Sequence, residues 1–173
     1  MYPVPPTFNK MDSGASVVDR KGTVMLKFMP SIGPRKYDSE RKQLFALSAN
    51  EVGCLVSLGS DESCEFFHDP SLKSSLEGQV KKTLAITPLT DGSGYMFHLS
   101  VMNSQLKTNE RVSIPVTKAE FAVIRSAFTF ALPHLLGWDR MILPQFEGSS
   151  SPAHLNKQGA LKATVDADYE WDR

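Results

Sequence analysis

Cysteine is scarce: Cys54 and Cys64 are the two in 173 residues. That is too few for a disulfide framework and fits a reducing compartment. Charge of one sign is not in excess either. Lys and Arg number 19 and so do Asp and Glu, so bulk charge names no partner. No apolar run approaches the roughly 20 residues of a membrane span. The start, MYPVPPTFNKMDSG, has neither the charged head and apolar centre of a signal peptide nor the Arg-rich pattern of a transit peptide. Any organelle address is therefore expected to lie outside this chain. There is no G-x-S-x-G elbow. Asp91-Gly92-Ser93-Gly94 belongs to a hairpin turn rather than to a phosphate loop opening a helix. Cys54, Cys64, His68 and Asp69 match no tight zinc spacing. No metal, cofactor or catalytic constellation is expected, and the chain reads as non-enzymatic.

The charge distribution says more than its sum. Residues 1–138 hold 15 Lys and Arg against 13 Asp and Glu, whereas 139–173 hold 4 against 6. The body is mildly basic and the tail mildly acidic. The body is organised around VSIPVTKAEFAVIRSAFTFALPHLLGW, Val112 to Trp138. Val112, Ile114 and Val116 alternate as a half-buried strand does. Thr117-Lys118-Ala119-Glu120 is a capping box: a hydroxyl for one orphan N–H, and a glutamate reaching back three residues later. Phe121, Ile124, Phe128, Leu132 and Leu135 form one apolar face at helical spacing, with Pro133 and Gly137 ending the helix. Ala122, Val123, Ala127, Phe130 and Ala131 spread beyond that face. A helix apolar around most of its girth needs cover on more than one side. The expectation is an oligomer, with Phe121, Ile124, Phe128 and Leu132 at its centre.

Before this unit, residues 1–16 read as an extended arm with a short edge strand near Thr7–Met11. Thr23–Met29 alternates as a strand, and Arg35–Leu47 is expected to be its hairpin partner. Ser48-Ala49-Asn50-Glu51 is a second capping box, opening a helix to about Leu58 with Val52, Leu55 and Val56 inward. Ser60–Gly78 reads as loop with an aromatic plug at Phe66-Phe67. Val80–Pro88 and Tyr95–Met102 alternate around a Gly-rich turn and make a hairpin. Gln145–Ala160 reads as disordered, and Asp166–Arg173 as an acidic, aromatic end. Two units follow: a domain over residues 1–140 and a flexible tail over 141–173.

The strand faces turned from the core carry the chemistry. If Val24, Leu26 and Phe28 are buried, Met25 and Lys27 are presented. If Leu84, Ile86, Phe97 and Leu99 are buried, Lys81, Met96 and His98 are presented. The stretch after the turn adds Arg35, Lys36, Tyr37, Arg41, Lys42 and Gln43, in either phase. Single-stranded nucleic acid needs such a mixture: cations for phosphates, flat or soft apolar groups for bases. A solvated face of long amphipathic side chains accounts for the same residues, so both readings stand on this pattern alone.

Several blocks resemble the plant Whirly family: Arg35-Lys36-Tyr37-Asp38, Glu65-Phe66-Phe67-His68-Asp69-Pro70, Asp91-Gly92-Ser93-Gly94, and the run Pro115 to Val123 with Leu132-Pro133-His134 and Gly137-Trp138. The resemblance covers roughly Asp12 to Arg140. It is greatest to the mitochondrial type, through Ser74-Ser75 near Gly78-Gln79-Val80 and through Trp138-Asp139-Arg140. It implies an α+β fold of two antiparallel four-stranded sheets packed roughly perpendicular, with helices forming a tetramer core. It implies single-stranded DNA binding with little sequence preference, protection and repair of organelle DNA, transcription roles for some members, and larger assemblies of tetramers. The implied site is a mitochondrion, with chloroplast or nucleus as alternatives. It also implies that the acidic tail screens the DNA face.

Two departures stand out. A Lys-Gly-Lys-Ala-Ala-Leu motif on the family's first strand has no counterpart in Met1 to Met11, so a truncated first strand is expected. Ser39 follows Tyr37-Asp38 where the family usually has Trp. The alternative reading is a protein-interaction or transcription-cofactor module with weak DNA binding.

Overall fold

Alternation and capping set the element boundaries. The computed structural model describes residues 1–12, 14, 16–70 and 78–140, and the expectations for 141–173 lie outside them. In chain order the strands are β1 (Tyr2–Val4), β2 (Thr7–Lys10), β3 (Ser16–Arg20), β4 (Thr23–Phe28), β5 (Ser31–Gly33), β6 (Lys36–Tyr37) and β7 (Gln43–Ser48). Helix α1 (Ala49–Ser57) follows, then β8 (Cys64–His68), β9 (Val80–Pro88), β10 (Gly94–Asn103), β11 (Thr108–Thr117) and helix α2 (Lys118–Leu135).

The strands are antiparallel throughout. One sheet has four strands in the order β11-β10-β9-β8, and another has three in the order β1-β4-β7. The pairs β2-β3 and β5-β6 are separate hairpins. The class is α+β, as expected, but the first sheet falls one strand short of four. A first correction is local and concerns the next stretch. The stretch Arg35–Leu47 is not one strand: the Asp38 carboxylate accepts from the Glu40 and Arg41 amides at 2.9 and 3.2 Å and turns the chain. What precedes that turn pairs back on Ser31–Gly33 instead of on β4.

Val24, Leu26 and Phe28 face inward from β4, and Phe45 and Leu47 from β7. Leu84 and Ile86 of β9 meet Leu99 and Phe97 of β10 across the four-stranded sheet. Between the sheets lie Val52 and Leu55 of α1 and Phe121, Phe128 and Leu135 of α2, all in one core. The Tyr95 hydroxyl donates to the Gly59 carbonyl at 2.8 Å, and Arg125 donates to the Leu58 carbonyl at 2.6 Å. Both acceptors, Leu58 and Gly59, lie just past the last turn of α1, so these bonds tie the end of the helix to β10 and α2.

Both capping boxes form. Ser48 accepts from the Glu51 amide while Glu51 bonds back to Ser48, and Thr117 and Glu120 do the same. Pro133 does not end α2. It lies within the last turn, and closure comes two residues after Leu135 at Gly137, whose positive φ of 76° suits glycine. Gly22 is needed for close approach: a Cβ there would sit 2.8 Å from the Leu135 Cα. A second correction concerns Ser60–Gly78. Cys64–His68 is a strand, so Phe66 and Phe67 point to opposite faces, Phe66 buried and Phe67 60% exposed. Residues 71–77 lie outside the described set.

Thr117→Ala removes the oxygen that holds the Glu120 amide at 3.2 Å. The expected loss is about 0.5–2 kcal/mol, read as a lower urea midpoint at unchanged slope. An unchanged midpoint would show that tertiary packing alone holds the start of α2.

Candidate nucleic-acid interface

Register decides which side chains share the outward face of the four-stranded sheet, because directly paired residues lie on one side. One row runs Phe67–Thr83–Ser100–Arg111. The next rows are Glu65–Ala85–His98–Ser113 and Lys81–Met102–Asn109, and Met96 lies between Thr87 and Pro115. Lys81, Met96 and His98 are thus on one surface, as expected. The His98 ring is hydrogen-bonded through Nδ1 to the Ser113 hydroxyl at 2.7 Å, which fixes its plane. Phe67, Met102 and Arg111 join them. These three escape sequence reasoning, although period-two alternation through Cys64-Glu65-Phe66-Phe67-His68 carries the signal for Phe67.

Met25 and Lys27 occupy the corresponding outward phase of β4, opposite Ala46 and Leu44. Met25 is half-buried and Lys27 exposed. The other expected residues separate into two groups. Arg35, Lys36 and Tyr37 sit on the small β5-β6 hairpin, all exposed, with Arg35 in the left-handed region at φ 57°. Gln43 is turned inward, a correction to its expected outward placement: it pairs with Phe28, and its amide donates to the Glu110 carboxylate at 2.7 Å. Arg41 lies 3.9 Å from the same carboxylate, which offsets part of its charge, and Lys42 is exposed.

A groove of about 390 Å³ opens between the two sheets. Met25, Leu44 and Ala46 form one wall, and Phe67, Pro70 and Lys82 the other. Its floor is rigid. The His68 ring stacks on Phe45 with centroids 4.1 Å apart, and its Nε2 lies 2.6 Å from Glu51 Oε1. Lys82 reaches across and donates to the Leu44 carbonyl at 2.9 Å. Burial lowers the Lys82 pKa. Apolar walls with cations nearby suit a base inserted beside a phosphate backbone.

Helix α2 requires the third correction. Phe121 and Phe128 are 3% and 2% exposed, and Ile124 and Leu132 pack against the same core. That face is taken by the subunit's own sheet. The apolar side left open carries Ala122, Val123, Ala127 and Phe130, with Val123 and Phe130 70% and 74% exposed. Among the described residues, no group of His, Cys, Asp and Glu could hold a metal ion. No described helix is long and apolar enough to cross a membrane.

The Whirly transcription factor family model matches residues 1–127. The chain belongs to the Whirly family. It is 52% identical to the mitochondrial single-stranded DNA-binding protein WHY2 of Arabidopsis thaliana, over 99% of this chain and 71% of that protein. It is 47% identical to the chloroplastic single-stranded DNA-binding protein WHY1 of Solanum tuberosum, over 99% of this chain and 61% of that one. Among solved structures, Arabidopsis thaliana WHY3 superposes with a TM-score of 0.82 at 50% identity, covering 86% of this chain and 88% of that chain. The plant transcriptional regulator PBF-2 gives 0.79 at 51%, covering 86% and 81%. This Whirly chain thus spans well under the full length of its chloroplastic relatives.

Glu51 connects the groove floor to the start of α1. Burial alone would raise its pKa. Hydrogen bonds from the Ser48 amide and hydroxyl and the contact with His68 outweigh burial and hold it below 4.5. Its stabilisation is therefore complete above pH 4.5 and is lost as pH falls through the lower folded value. Glu51→Gln is expected to flatten the acid limb of the urea midpoint plotted between about pH 3 and 7. Parallel acid limbs in the two proteins would contradict the linkage.

Proposed function

We propose that this protein binds single-stranded DNA without catalysing a reaction and with little sequence preference. The observation that carries the reading is the outward face itself. Lys81 and Arg111 flank Met96, Met102, His98 and Phe67 on one side of one sheet. Cations there track phosphates, and the soft and aromatic groups stack on bases whatever their identity. The groove beside Met25 and Phe67 takes an unstacked base, and the exposed Arg35, Lys36 and Tyr37 extend the path along the β5-β6 hairpin. The relatives named as single-stranded DNA-binding proteins support the same reading.

The working unit is a homotetramer built on the open side of α2, around Val123 and Phe130, with the sheets outward. Its role is protection and maintenance of organelle DNA, with regulation of transcription as a further role. The mitochondrial relative favours that organelle, while chloroplastic relatives keep the plastid in view. The second reading is a transcription-cofactor module with weak DNA binding. It draws support from the family's description as transcription factors and from the likeness to the transcriptional regulator PBF-2.

Fluorescence anisotropy with a labelled oligothymidylate, repeated over a range of salt, separates the two. Affinity should fall steeply with salt, by a slope of about 0.7 per phosphate neutralised. Lys27→Ala, Lys81→Ala and Arg111→Ala together should reduce that slope by about 2. Arg41 is unsuitable for this test because Glu110 already faces it. Phe67→Ala should weaken binding by about 1–3 kcal/mol at any salt. Weak binding that ignores salt and all four substitutions would favour the cofactor module.

A further inference from the structure

The groove between the sheets holds a lysine of unusual setting. Lys82 lies on β9 in the inward phase, opposite His68 on β8 and Val101 on β10. Its Nζ spends one hydrogen bond on the Leu44 carbonyl at 2.9 Å. The side chain borders the groove together with Met25 and Phe67. Burial disfavours its ammonium form, so its neutral fraction exceeds that of a surface lysine. Neutral lysine in a partly desolvated pocket adds to carbonyl groups.

A single strand of DNA exposes a carbonyl wherever it has lost a base, because the deoxyribose there opens to an aldehyde at C1′. Such a sugar is slimmer than an intact nucleotide and carries no base to hold it on the outer sheet face. Phe67, 60% exposed at the groove mouth, can stack on the base next to the gap. Resting on the single-stranded DNA reading above, we propose that Lys82 captures abasic sites by forming an imine between its Nζ and the C1′ aldehyde. The nitrogen lone pair attacks C1′, and a proton passes from nitrogen to the former carbonyl oxygen. The carbinolamine then loses that hydroxyl with the remaining N–H proton as water. A C=N bond replaces a C=O bond, no oxidant or reductant takes part, and hydrolysis reverses the step.

The test uses the full chain and a labelled oligonucleotide carrying one abasic site, with borohydride added to reduce any imine to a stable secondary amine. Peptide mass mapping should place the reduced sugar remnant on Lys82. Lys82→Arg, which keeps the charge, should cut the adduct per oligonucleotide bound by about tenfold. An adduct spread over Lys27, Lys36 and Lys81, or one undiminished by Lys82→Arg, overturns the proposal. Mapping in the unaltered protein decides the matter even if the variant fails to fold. An undamaged oligonucleotide run in parallel separates the two readings: no retention of it defeats the DNA-binding assignment itself, whereas retention without a Lys82 adduct defeats the capture step alone.

Discussion

Helix α2 is apolar on two sides, and one sheet can cover one of them. Phe121, Phe128 and Leu135 go down into the core with β10 and β11 behind them. Val123 and Phe130 are left on the far side in water. Full burial of such side chains is worth about 1.5–3 kcal/mol each, so the open side of α2 favours contact with further apolar surface. The same division explains the rest of the architecture. With its inner face spent on α1 and α2, each sheet turns a second face outward.

What those faces present follows from the pleat. Period two sends Leu84, Ile86, Phe97 and Leu99 inward and Lys81, Met96 and His98 outward along the same strands. The join between the sheets is polar where it nears the surface. Glu110 receives Gln43, Lys82 reaches the Leu44 carbonyl, and His68 is held between Phe45 and Glu51. The groove therefore has fixed walls before any ligand arrives. Preformed geometry reduces the ordering cost of binding.

Much of this is readable in the residues. The two capping boxes mark the starts of α1 and α2 because the chemistry of a cap is local: one hydroxyl, one carboxylate, three residues apart. The β9-β10 hairpin is equally local. The Asp38 turn is less legible, since Arg35–Leu47 has the charge pattern of either a strand or a helix and a single carboxylate breaks it. Strand β8 is short, and its partner β9 comes after residues 71–77, so no adjacent hairpin announces it. That hides the outward position of Phe67. For α2, periodicity finds an apolar face, but with both halves apolar it cannot say which one meets the chain's own sheet. Phe121 and Phe128 are consequently assigned to the wrong neighbour by sequence reasoning, and Phe130 is the side chain left exposed.

Light scattering on the purified chain, before and after single-stranded DNA is added, bears most directly on whether α2 needs cover from other copies. The account predicts a particle of about 76 kDa, four times the 19.1 kDa chain, in the absence of DNA. A stable 19.1 kDa monomer at working concentrations, with Phe130 still solvated, would contradict it.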